Sequence, residues 1–71
     1  MPIILGNVSL SALAVNCAYL VEEGFMTFDD VSKRRKSDCA VALVVWGDED
    51  LVTDPNYLAE AKQRIAEANQ E

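Results

Sequence analysis

The stretch from Leu20 to Val31 carries a helix stop and a helix start almost back to back, and it constrains the fold more than any other part of the chain. Gly24 follows an apolar-periodic run and sits where a C′ residue takes a left-handed backbone that a Cβ would penalise. Counting back from it, Leu20 is C3 and Phe25 is C″, the hydrophobic pair of a Schellman stop. Thr27 then reads as an N-cap with Asp30 at N3, a capping box with Asp in place of the usual Glu. Met26 at N′ and Val31 at N4 supply its hydrophobic staple. Agreement between independent local signals specifies structure better than any one of them. The sequence therefore predicts a tight helical hairpin at Gly24-Thr27, helix–turn–helix in form.

The first helix of that hairpin is expected from about Ser9 to Glu23, with Asn7 or Ser9 as its N-cap. Leu10, Leu13, Cys17 and Leu20 recur at steps of three and four, Ala14 and Val21 widen the same face, and Val15 and Tyr19 form a second apolar strip. Residues 1–6 form an N-terminal arm in this reading. The second helix is expected to be short, held by Phe28 and Val31. A fresh start at Ser37, with Asp38 in its first turn, predicts a third helix to Trp46, stopped by Gly47 at C′. The same residues allow a second reading, a short strand at Val41-Trp46, because three Val and a Trp favour one. A lone strand needs a sheet partner, and only Ile3-Leu5 or Leu51-Val52 offers one, so helix is preferred. Asp54 before Pro55 is an N-cap with Pro at N1. The last helix then runs to about Asn69, with a narrow stripe of Leu58, Ala61, Ile65 and Ala68, Tyr57 beside it, and Glu60 and Arg64 as an i, i+4 pair. The expected fold is all-α, one small domain of three to four helices over residues 1–71, with α+β as the alternative if Val41-Trp46 is a strand.

For 71 residues, 51% apolar composition is slightly rich. A chain this short struggles to bury it all, so part of it is expected in a subunit or partner interface. The net charge of −6 disfavours nucleic acid and anionic membranes. It is unevenly placed: four of the six basic residues form the run Lys33-Arg34-Arg35-Lys36. The longest uninterrupted apolar run, Cys39 to Trp46, is far too short to span a membrane. The N-terminal residues lack the pattern of a signal peptide. Two cysteines without a CxxC make no disulfide or zinc framework. These features predict a cytoplasmic chain with reduced thiols.

Catalytic equipment is not legible. With no His, a Ser-His-Asp triad and His-ligated metals drop out. The three glycines, Gly6, Gly24 and Gly47, are isolated and form no phosphate loop. Asp29-Asp30 and Asp48-Glu49-Asp50 lack the spacing of a calcium loop and read as capped, solvated turns. Cys17 and Cys39 read as small buried hydrophobes. Of the two, Cys39 is the better candidate for a perturbed thiol, lying near a helix start and the basic run. No enzyme, cofactor or metal is expected.

The leading functional expectation is a small acidic protein-interaction module, of regulator, adaptor or inhibitor type, that self-associates, most simply as a homodimer. Its interface candidates are Lys33, Arg34, Arg35, Lys36, Trp46 and Tyr57, because Arg and aromatics are enriched in hot spots. A second reading is a helix-turn-helix nucleic-acid-binding regulator using Lys33-Lys36. Two features oppose it. Asp30 and Lys33 occupy the positions that a reading helix should bury, and Asp29-Asp30 would face phosphates. A third is a structural subunit of a larger assembly, such as that of a phage.

Overall fold

Gly6 and Asn7 decide the first element. Their φ angles are +56° and +65°, the pair of left-handed residues that a two-residue type I′ hairpin turn requires. In the computed structural model, which describes residues 2–70, they join β1 (Pro2–Leu5) to β2 (Val8–Ser11). The strands are antiparallel, with Leu5 opposite Val8 and Ile3 opposite Leu10. This corrects the N-terminal arm and the all-α reading: the fold is mostly helical, with a small two-stranded sheet. Met1 lies outside the described residues. Ser9 belongs to β2 and Asn7 to the turn. The N-cap is Ser11, whose Oγ accepts the Ala14 N–H at 3.2 Å. A Gly-Asn pair between two short apolar runs is a hairpin signal, and it outranks the capping preference of Asn7 and Ser9.

The first helix, α1 (Ala12–Glu22), ends as its sequence dictates. Gly24 has φ +82°. Its N–H donates to the Val21 carbonyl at 3.1 Å, and the Phe25 N–H donates to the Leu20 carbonyl at 2.9 Å, the two bonds of a Schellman stop. The start signal also forms. A carboxylate oxygen of Asp30 accepts the Thr27 N–H at 3.1 Å and the Thr27 hydroxyl at 3.0 Å. These bonds hold the Asp30 carboxyl below its usual range. The capping box opens only a 3-10 turn, Phe28–Asp30, after which Val31 is extended.

The hairpin therefore closes onto α2 (Lys33–Val45), with Ser32 at the N-cap position. That helix starts four residues before the expected Ser37, because Lys and Arg propagate a helix readily. It continues through the segment that allowed a strand. It stops at Gly47, φ +84°, with Gly47 N–H to Val44 O at 3.0 Å and Asp48 N–H to Leu43 O at 2.8 Å. A second 3-10 turn, Glu49–Leu51, leads to α3 (Pro55–Ala68), where Asp54 accepts the Asn56 N–H at 2.9 Å.

The core is organised around α2, which packs against α1, α3 and both strands. Cys39, Ala40, Val41, Ala42 and Leu43 are all fully buried. Five consecutive buried residues mean that this helix is covered on every side. From α1 come Ala14, Ala18 and Val21. The buried stripe is thus rotated from the expected one: Ala18 is in and Leu13 is out. Small side chains let α1 approach α2 closely, since interaxial distance follows the size of the contact residues.

Polar contacts fix the ends. Asp38 accepts the Ser11 N–H at 3.0 Å and Arg64 at 2.9 Å, and Arg64 also donates to Ser37 Oγ at 2.8 Å. Arg64 turns to α2 instead of its helical neighbour Glu60, so one carboxylate ties the start of α1 to α2 and α3. The Asn69 amide donates to the Gly6 carbonyl at 3.0 Å, and Asn7 donates to Asn69. The hairpin turn is thereby held against the end of α3.

Candidate functional site

The basic run forms the first turn of α2. Lys33 and Arg34 are exposed, while Arg35 and Lys36 are half-buried. Four cations at a helix N-terminus oppose the macrodipole, so each gains from a local partner. Arg35 donates to Ser32 Oγ at 3.1 Å. Lys36 lies over aromatic rings, with Nζ 5.6 Å from the Phe28 centroid and 6.0 Å from that of Tyr57. The two rings meet edge to face at 5.9 Å, the arrangement favoured by their quadrupoles. The structure thus brings Lys36 and Tyr57 together through Phe28, a residue whose sequence neighbourhood marks it only as an anchor of the short second helix. Trp46 caps the other end of α2 and packs half-buried on the core, away from this cluster.

The chemistry of the remaining groups is quiet. Burial, with the neighbouring Cys17 adding to it, pushes the Cys39 thiol up to about 12. The basic run does not activate it, contrary to what its sequence position suggests, because Cys39 points into the core. A thiol held protonated is a poor nucleophile. Among the described residues no cluster of three or more His, Cys, Asp or Glu is placed to hold a metal ion, and no helix is long and apolar enough to cross a membrane.

One acidic pair does interact. Asp48, after the stop of α2, lies close enough to Glu22 at the end of α1 for the two carboxyls to share a proton. That sharing first, then desolvation and the Asp48 charge, raises the Glu22 carboxyl. A shared proton requires one acid to be neutral, so the contact helps the fold below the ordinary glutamate range and is lost as pH rises through the raised value. At neutral pH the two carboxylates repel, beside two helix C-termini that are themselves negative. Asp48→Asn is therefore expected to raise the melting temperature at pH 7 and to have a smaller effect near pH 4. An NMR titration should show Glu22 moving down toward its ordinary range. An unchanged Glu22 titration in the variant contradicts the pairing.

The surface feature that sequence reasoning missed is apolar. Ile4 is 68% exposed, Leu13 58%, Tyr19 50% and Phe25 75%. Leu13, Asn16 and Tyr19 are all exposed on α1. Leu13 also borders a concavity of about 350 Å³ lined by Pro2, Ser9, Leu10, Ser11 and Ala12. A second groove, of about 290 Å³ and mostly apolar, lies below the hairpin between Val21, Met26, Phe28 and Leu51. The second apolar strip of the first helix, Tyr19 above all, is the available signal. Leu13 escapes notice because its spacing also fits a core stripe. Comparison with known proteins finds no matching family model, no similar characterised protein and no similar solved structure.

Proposed function

We propose that this chain is a small acidic protein-interaction module, of regulator, adaptor or inhibitor type, that acts by binding rather than by catalysis. One observation carries the reading: Leu13, Tyr19 and Phe25 stay exposed although the core beneath them is complete. Phe28, Leu10, Leu43 and Val41 are each nearly or fully inaccessible, so the outer residues are not needed to finish the interior. Large exposed apolar and aromatic side chains, two of them on a helix almost without charge, are the composition of a contact patch. The basic turn Lys33-Lys36 lies elsewhere on the surface and suits steering toward an acidic partner. A nucleic-acid reading has weaker support, because the second helix of the supposed reader is a three-residue turn containing Asp29 and Asp30.

The test is affinity capture from the cells that make the protein, using the natural chain and a Tyr19→Ser/Phe25→Ser variant side by side. A partner should be retained by the first and lost about tenfold or more by the second, with the two circular dichroism spectra superimposable. Equal retention by both, or retention of nothing, contradicts the proposal.

A further inference from the structure

We infer that the free edge of β1 is a self-association site, at which a second copy adds its own β1 antiparallel across a two-fold axis at Ile4. The argument starts with the ladder. A two-residue turn makes the closing pair, Leu5 and Val8, a hydrogen-bonded one, and the pairs then alternate. Ile3 and Leu10 are the next bonded pair. Ile4 and Pro2 therefore turn their backbone groups away from β2. Pro2 has no N–H to offer, which leaves the Ile4 N–H as the donor of the open edge and the Ile4 and Pro2 C=O groups as its acceptors. None of these has a hydrogen-bond partner among the described residues.

The other edge of the sheet is partly covered, with exposed Ser9 left between the buried Val8 and Leu10. The Ser11 N–H is taken by Asp38, and β2 is packed by all three helices. Natural edge strands are blunted by charged side chains, bulges or covering elements. β1 has none of these beyond its initial proline.

Charge and register select a second copy as the occupant. All 18 charged side chains, 6 basic and 12 acidic, lie at Glu22 or later, so the hairpin and nearly all of α1 carry none. A chain of net charge −6 repels its own kind over most of its surface, and this is where it does not. Setting Ile4 opposite Ile4 of the second copy lets the two residues exchange both backbone hydrogen bonds. It also sets Ile3 opposite Leu5 on the inner face, so both kinds of side-chain pair are aliphatic and no polar group is buried. Because β1 pairs with β1 across a two-fold axis, the contact is isologous and closes at a dimer with four strands.

Ile4 is not among the residues that carry the proposed function, and Tyr19→Ser/Phe25→Ser leaves β1 untouched, so the two proposals are tested by separate variants. Sedimentation of the full chain at concentrations on the order of 100 µM should give the mass of two chains of 7.8 kDa. Ile4→Lys sets two like charges face to face on the axis and should return the mass to one chain. Circular dichroism and melting of that variant at low concentration should match the natural chain. Ile4→Thr, which keeps strand propensity and adds no charge, should weaken association only partly. Amide exchange supplies a second readout: the Ile4 N–H should slow about tenfold or more as concentration rises, while that of exposed Ser9 does not. A natural chain that sediments as a monomer throughout, or a dimer that survives Ile4→Lys in a folded protein, overturns the proposal.

Discussion

Phe28→Ala is expected to remove about 3–5 kcal/mol of stability and to leave much of the protein unfolded at physiological temperature. Phe28 is the largest fully buried side chain, 1% exposed. It belongs to a 3-10 turn of only three residues, so no helix of its own holds it in place. Instead it joins the connection after α1 to Tyr57 of α3 by an edge-to-face contact and lies under Lys36 of α2. Truncation opens a cavity at the meeting point of those elements, which no single one can close by shifting. A domain of this size has a total stability on the order of 5–10 kcal/mol, so the loss is a large fraction of it. Urea denaturation should show a lower midpoint with an unchanged slope. A midpoint within error of the natural protein would show that the Phe28 site collapses without cost.

The second large effect is expected at Gly6. A Cβ there would stand 2.8 Å from Val45 Cγ2, on a backbone with φ +56°. Gly24 provides the control: its φ is +82° and a Cβ would meet nothing within 4 Å. Left-handed backbone alone penalises a Cβ by about 1–2 kcal/mol, and Gly24→Ala should show only that. Gly6→Ala should lose more, on the order of 2–4 kcal/mol, because overpacking adds to the strain. Val45→Ala should restore the excess and not the rest, a coupling that a double-mutant cycle reads directly. If Gly6→Ala and Gly24→Ala cost the same, the turn does not press on α2 as described.

The candidate surface is only partly legible in the sequence. Residue type offers Lys36 and Tyr57 as separate interface candidates, and the fold sets them side by side, but the Phe28 ring that joins them comes from a third element. Nothing in the sequence marks Leu13 or Phe25 as surface residues. Each is apolar within an apolar pattern, and a pattern states which residues prefer burial without stating which ones the core has room for. A small domain cannot bury every apolar side chain, and which side chains stay outside is settled by the neighbours that arrive from elsewhere in the chain.

The same division runs through the whole fold. Gly24 and Gly47 as helix stops, Thr27 with Asp30 as a capping box, and Asp54-Pro55 as a helix start were all determined by the sequence itself. Each is a hydrogen-bonding arrangement closed within a few residues, so its free energy needs no distant partner. Tertiary structure decided the rest. The Gly6-Asn7 hairpin is stable because α2 and α3 cover it and Asn69 binds its turn. The Lys33-Lys36 run joins α2 because Cys39 to Leu43 are buried on all sides, and that burial outweighs four cations at the wrong end of a helix. Arg64 leaves Glu60 for Asp38 because a half-buried carboxylate shared with Ser11 is a better partner than an exposed one. Contacts between residues far apart in the chain have no local signature, and they chose which face of each element turned inward.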